Sequence, residues 1–191
     1  MVIKCGEATR ELAGTRVGRL IMQARKSFMR KAALSVIREC GITDPPIDLL
    51  TVTRKYGLEY QEVDYFEDSV DALIIKLDGR VIAAVNANSS ANRRRFSLAH
   101  ELCHHLFHQD RSSLIDNVSI DVSEDTAYEE QSKDPFETEA DVFAGELLVP
   151  LPMLKKHFRS GYTTADIARI FSVSESVASI AITSHFDALF K

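Results

Sequence analysis

Apolar side chains first recur at helical spacing near the start of the chain. Val17, Leu20, Ile21, Ala24 and Phe28 fall three or four apart, which predicts a long amphipathic helix over 16–38. Asp44-Pro45-Pro46 reads as the start of a short helix, with Asp44 as its cap and Gly57 as its stop. The pattern then changes period. A strand is expected over 58–63, and two more over 72–77 and 80–85 flank Asp78-Gly79, a strong hairpin signal. Together they suggest a small, mostly antiparallel sheet. A polar loop over 86–92 precedes a helix over 93–107, whose core side would carry Phe96, Ala99, Cys103, Leu106 and Phe107. After a polar, acidic loop over 109–134, Phe136, Ala140, Phe143, Ala144 and Leu147 mark a helix over 135–149, ended by Pro150 and Pro152. Two short helices over 163–171 and 174–190 close the chain. Ser172 and Glu175 fit a capping box, and Ser174 is another cap. The fold class is α+β.

Composition narrows the setting. At 191 residues, 45% of them hydrophobic, the chain fits one domain with a real core. No apolar run approaches the ~20 residues of a membrane span, and the first residues lack the apolar segment of a secretory signal. Cys5, Cys40 and Cys103 stand at no metal-ligand spacing and read as reduced thiols, so a cytoplasmic protein is expected. The net charge of −5 hides an asymmetry. Residues 1–31 hold eight basic side chains against two acidic, and residues 110–134 hold eight acidic against two basic. A basic arm can touch nucleic acid, but a solvated basic helix is the favoured reading.

The chemistry concentrates in His100-Glu101-Leu102-Cys103-His104, an H-E-x-x-H segment. On a helix the two histidines point to one side, about 6 Å apart along the axis, where they can share one zinc ion. Glu101 lies where it can take a proton from water. A catalytic zinc site wants three protein ligands. His108 is too far along the helix to share a metal with His100, since eight residues span about 12 Å. It reads as an ordinary polar residue near a helix end, and His105 points away. The helix over 135–149 offers Glu137, Glu139 and Glu146. At 100° per residue, Glu137 lies about 60° from the centre of the apolar stripe, Glu139 about 100° and Glu146 about 120°, facing water. Glu137 therefore reaches inward most easily. Asp141, one turn on, can accept the free N–H of a ligand histidine. The plainer alternative makes Glu137 and Asp141 solvated charges on an amphipathic helix.

Two segments then carry a resemblance. Arg94-Arg95-Phe96-Ser97-Leu98-Ala99-His100-Glu101-Leu102-Cys103-His104, followed by Glu137-Thr138-Glu139-Ala140-Asp141-Val142-Phe143-Ala144-Gly145-Glu146-Leu147-Leu148-Val149-Pro150, resembles the ImmA/IrrE metallopeptidase family. The likeness covers roughly 16–157 and implies a zincin-like core with a C-terminal helical extension, 158–191, packed on it as one domain, 1–191. It implies a zinc-dependent, gluzincin-like peptidase with His100, His104 and Glu137 as zinc ligands and Glu101 as the base. It also implies a protein substrate, a helix-turn-helix repressor whose cleavage releases stress-response or mobile-element genes. Cys103 departs from the glycine usual between the histidines, as a buried packing residue or as a redox-sensitive thiol. On this likeness, the extra sensor-like domain of larger relatives is not expected here.

Other features leave alternatives open. Tyr128, His157, Tyr162 and His185 are candidate donors to a developing oxyanion. Arg93, Arg94 and Arg95 can meet a substrate backbone or the acidic loop, or form a solvated turn. The stretch 164–177 looks like a helix-turn-helix, so the rival functions are a DNA-binding regulator and a non-catalytic metal-binding or toxin–antitoxin component. No Lys or Arg lies between Arg169 and Lys191, which argues against groove reading, because DNA affinity rests on cationic phosphate contacts. The oligomeric state has no signature in the sequence.

Overall fold

The computed structural model describes residues 16–64, 66, 70–108, 134–158 and 161–190. The side chains of Val17, Leu20, Ile21 and Ala24, together with Cys5, Tyr128 and the acidic 110–133 stretch, lie outside the described ones. In chain order the elements are α1 Arg16–Glu39, α2 Leu49–Lys55, β1 Leu58–Val63, β2 Ala72–Leu77, β3 Arg80–Asn86, α3 Ala91–Phe107, α4 Pro135–Leu148, α5 Leu151–His157, α6 Thr164–Phe171, α7 Glu175–Ser184 and α8 Phe186–Leu189. Among the described residues no single helix is long and apolar enough to cross a membrane.

The sheet has the order β1-β3-β2. The expected hairpin is present: Asp78 and Gly79 both take positive φ, 49° and 77°, which a two-residue turn between β2 and β3 requires. The expectation of a mostly antiparallel sheet is corrected. β1 runs parallel to β3 along the whole of its length, so the sheet is evenly mixed. Strand spacing carries no information about direction, and here the chain crosses from β1 to the far side of β3 before laying down β2. As the middle strand, β3 buries Ile82, Ala83, Ala84 and Val85 in succession instead of alternating.

α3 packs on the sheet, α4 packs on α3, and α1 lies along α4. The core runs through these layers, with Phe143, Leu102, Leu147 and Leu148 fully enclosed. Phe28, expected on the buried stripe of α1, is 54% exposed and packs T-shaped against Phe107.

Several helix ends differ from expectation, and neighbouring residues account for them. Pro45–Pro46 is a cis pair outside any helix, and Asp48 caps α2 by accepting from the Thr51 amide at 3.1 Å. Asp44 instead pairs with Lys156 of α5. Pro150 and Pro152 end α4 but also begin α5, because the first turn of a helix tolerates proline. Ser172 sits in the left-handed region as the C-cap of α6, and the capping box forms between Thr163 and Asp166, while Ser174 caps α7. The last predicted helix breaks at His185 into α7 and α8.

Candidate metal centre

α3 starts where Ser90 accepts the Arg93 amide, and the three arginines that follow are engaged within the fold. Arg93 pairs with Asp71. Arg94 donates to the carbonyls of Ala87 and Ser89, both at 2.9 Å. Arg95 donates to those of Ile47 and Ser172, tying α3 to the loop before α2 and to the α6–α7 corner. These contacts set the rotation of α3. They aim His100 and His104 toward α4 and bury Glu101 to 4% exposure.

α4 starts at Asp134, whose side chain accepts the Phe136 amide, with Pro135 in the first turn. It brings Glu137 and Asp141 to the histidines. His100 Nε2 lies 3.1 Å from Glu137 Oε2, His104 Nε2 lies 3.4 Å from Glu137 Oε1, and the two Nε2 atoms are 2.9 Å apart. Among the described residues these three form the one cluster of candidate ligand atoms, all within 4.8 Å of one another. A tetrahedral zinc with bonds of ~2.05 Å has ligand–ligand edges of about 3.3 Å, so the triangle fits one ion.

The donor chemistry fits as well. His100 Nδ1 donates to Asp141 Oδ1 at 3.0 Å, which leaves Nε2 a bare lone pair facing a carboxylate and a second imidazole. Such atoms repel unless a proton or a cation sits among them. Without a metal a proton takes that place. Burial alone lowers the basicity of His100, but its hydrogen bonds to Asp141 and Glu137 reverse this and raise its pKa to about 9. For Glu137, burial acts upward, yet His100 and His104 hold the carboxyl well below the usual range.

Two acidic residues expected to face water do not. Glu139 and Glu146 are each 4% exposed. Glu139 pairs with His108 at 3.1 Å and with Arg25 of α1 at 3.1 Å. Glu146 accepts the Leu151 amide at 3.0 Å and pairs with His185 at 2.8 Å. His108, read as an ordinary polar residue, is 6% exposed and lies 3.0 Å from His104, Nδ1 to Nδ1. The signal available in the sequence was the repeated four-residue step His100, His104, His108. His105 points elsewhere, to the Tyr56 carbonyl. Cys103 is completely buried, and burial pushes its thiol far above the ordinary range.

A cavity of about 700 Å³ opens beside Asp141, walled by Phe96, Val149, Val177 and Ile180, with Arg93 and His185 among its polar lining. Of the candidate oxyanion donors, His185 is in the Glu146 pair, His157 stacks edge-on against Phe171, and Tyr162 is 44% exposed. α6 and α7 meet at 106°, a helix-turn-helix angle, with no cation on α7.

A metallopeptidase-like class of protein is what this mixed fold and its two-helix triad define. A family model described as the IrrE N-terminal-like domain, of peptidase family M78, matches residues 47–183, and the chain belongs to that family. Among solved structures, a Mycobacterium tuberculosis transcriptional regulator aligns with a TM-score of 0.58 at 19% identity, a likeness of fold. The match covers 80% of this chain and 45% of that one, so this chain spans less than half of its neighbour's length. A search of curated proteins gave no match.

Proposed function

We propose that the protein is a zinc-dependent endopeptidase that cleaves a helix-turn-helix repressor and so releases stress-response or mobile-element genes. The convergence of His100, His104 and Glu137 carries this reading, joined by membership of a peptidase family. His100, His104 and Glu137 hold the ion, Asp141 orients His100, and residues 1–191 act as one cytoplasmic domain with 158–191 packed on the core. Zinc, when bound, polarises a carbonyl and makes water more acidic.

The rest falls to the chain's own side chains. Glu101 takes the proton of the attacking water and delivers it to the leaving amine, the work of a general base that then acts as general acid. Its position next to His100 on a fixed helix, away from bulk water, suits that transfer. Asp141 keeps the His100 proton on Nδ1, so Nε2 stays available to the centre. The apolar cavity next to Asp141 suits the side chains of an extended or unwound segment of substrate.

The test pairs metal analysis with turnover. Purified protein should carry about one zinc per chain and cleave the helix-turn-helix repressor encoded nearest its gene. Glu101→Gln should keep the zinc and lose cleavage by roughly 10²–10⁴-fold. No bound metal, or cleavage by Glu101→Gln at the wild-type rate, would overturn the reading.

A further inference from the structure

His104 has no carboxylate on its outer nitrogen as His100 has. What it has is His108. The Nδ1 atoms of the two rings are 3.0 Å apart, and the far side of His108, Nε2, lies 3.1 Å from Glu139 Oε2. Glu139 in turn meets Arg25 of α1 at 3.1 Å. The pair of His108 and Glu139 is dry, with side chains 1% and 6% exposed. Phe136 closes it off: its ring stands edge-on to His108 at 4.9 Å and carries the Arg25 guanidinium over its face at 5.4 Å. Of these four side chains, His108 is the one that meets the triad, at His104.

Hydrogen-bond bookkeeping fixes the direction of the chain. A neutral imidazole has one donor and one acceptor, and an ionised carboxylate only accepts. Next to Glu139, therefore, His108 Nε2 carries the hydrogen and donates it. His108 Nδ1 is then a lone pair, and the facing Nδ1 of His104 supplies the hydrogen. That leaves His104 Nε2 bare, aimed at His100 and Glu137. The opposite direction would press the bare Nε2 of His108 against a carboxylate at 3.1 Å between two buried side chains, where such a contact is costly.

We propose that His108 is a positioning residue for the metal centre: its Nδ1 accepts the Nδ1–H of His104, while Glu139, braced by Arg25, holds His108 in the tautomer that makes this possible. The inference rests on the reading of the triad as a zinc site. It gives the two histidine ligands different supports. His100 is held directly by Asp141, half-buried at the cleft. His104 is held through a buried imidazole and a carboxylate that belongs to the same helix as Glu137, so α4 sets both imidazoles as well as the third ligand.

Zinc affinity, measured by competition with a chromogenic chelator, reads this without any substrate. His108→Phe fills the space but removes the acceptor, and should weaken zinc binding roughly 10–100-fold. His108→Gln offers a carbonyl oxygen in its place and should recover most of the loss. A folded His108→Phe with wild-type affinity would overturn the proposal, as would equal losses in both variants. Long-range ¹H–¹⁵N spectra of the zinc-loaded wild type decide the matter even if the variants do not fold. His104 should carry its hydrogen on Nδ1 and His108 on Nε2, and the reverse assignment would overturn it. A wild type that binds no zinc would instead remove the metal centre itself, and the relay with it.

Discussion

Asp141 stands behind His100 at 3.0 Å and is 27% exposed, so it can be changed without opening the core. Asp141→Ala should lower zinc affinity roughly 10–100-fold, read by chelator competition, with little effect on folding. Cys103 is the opposite case. It is fully enclosed in the core, and burial keeps its thiol protonated, so it behaves as a small apolar residue. Cys103→Ala should cost about 1 kcal/mol in denaturant unfolding, on the scale of one buried heavy atom removed, and leave zinc affinity unchanged. A thiol reagent should leave Cys103 unmodified in the folded protein.

At the scale of elements, helix ends give the clearest pH dependence. In the Thr163–Asp166 capping box, the Thr163 backbone amide and hydroxyl hold the Asp166 carboxyl below its ordinary value, helped by Arg169. A depressed carboxyl contributes stability above its unfolded pKa and loses it as pH falls through the folded one. The wild type should be more stable than Asp166→Ala at pH 7, and that advantage should fade as pH falls below about 3.8, measured by urea unfolding. The same scale shows what the sequence made legible. Period and turn chemistry located the strands, the hairpin, α3 and α4 within one or two residues. Glu137 was singled out by its angle to one apolar stripe and Asp141 by lying one turn beyond it, and the structure brings both beside His100. That same angle misplaced Glu139 and Glu146, because α4 is covered by α1 and α7 as well as α3, and a hydrophobicity pattern does not register a face buried through ion pairs with Arg25, His108 and His185. Strand direction was also illegible, since β1 and β3 look alike in either orientation.

For the whole molecule, a candidate metal centre whose proposed ligands come from two helices would couple metal binding to folding. His100 and His104 come from α3 and Glu137 from α4, 37 and 33 residues further along the chain, so the set exists only when the layers are assembled. Zinc at 100 times its dissociation constant should add about 2.7 kcal/mol, or roughly 5–10 °C in melting temperature. Melts in zinc and in chelator, on wild type and His104→Ala, check this; the variant should show almost no difference between the two.

α4 carries four acidic residues, each engaged within the fold: Glu137 with the paired histidines, Glu139 with His108 and Arg25, Asp141 with the outer nitrogen of His100, and Glu146 with His185 and the start of α5. A replacement at any one of them is a local event. An inserted or deleted residue between Glu137 and Glu146 would turn everything beyond it by 100° and detach the downstream partners together. This helix can drift in composition but not in length.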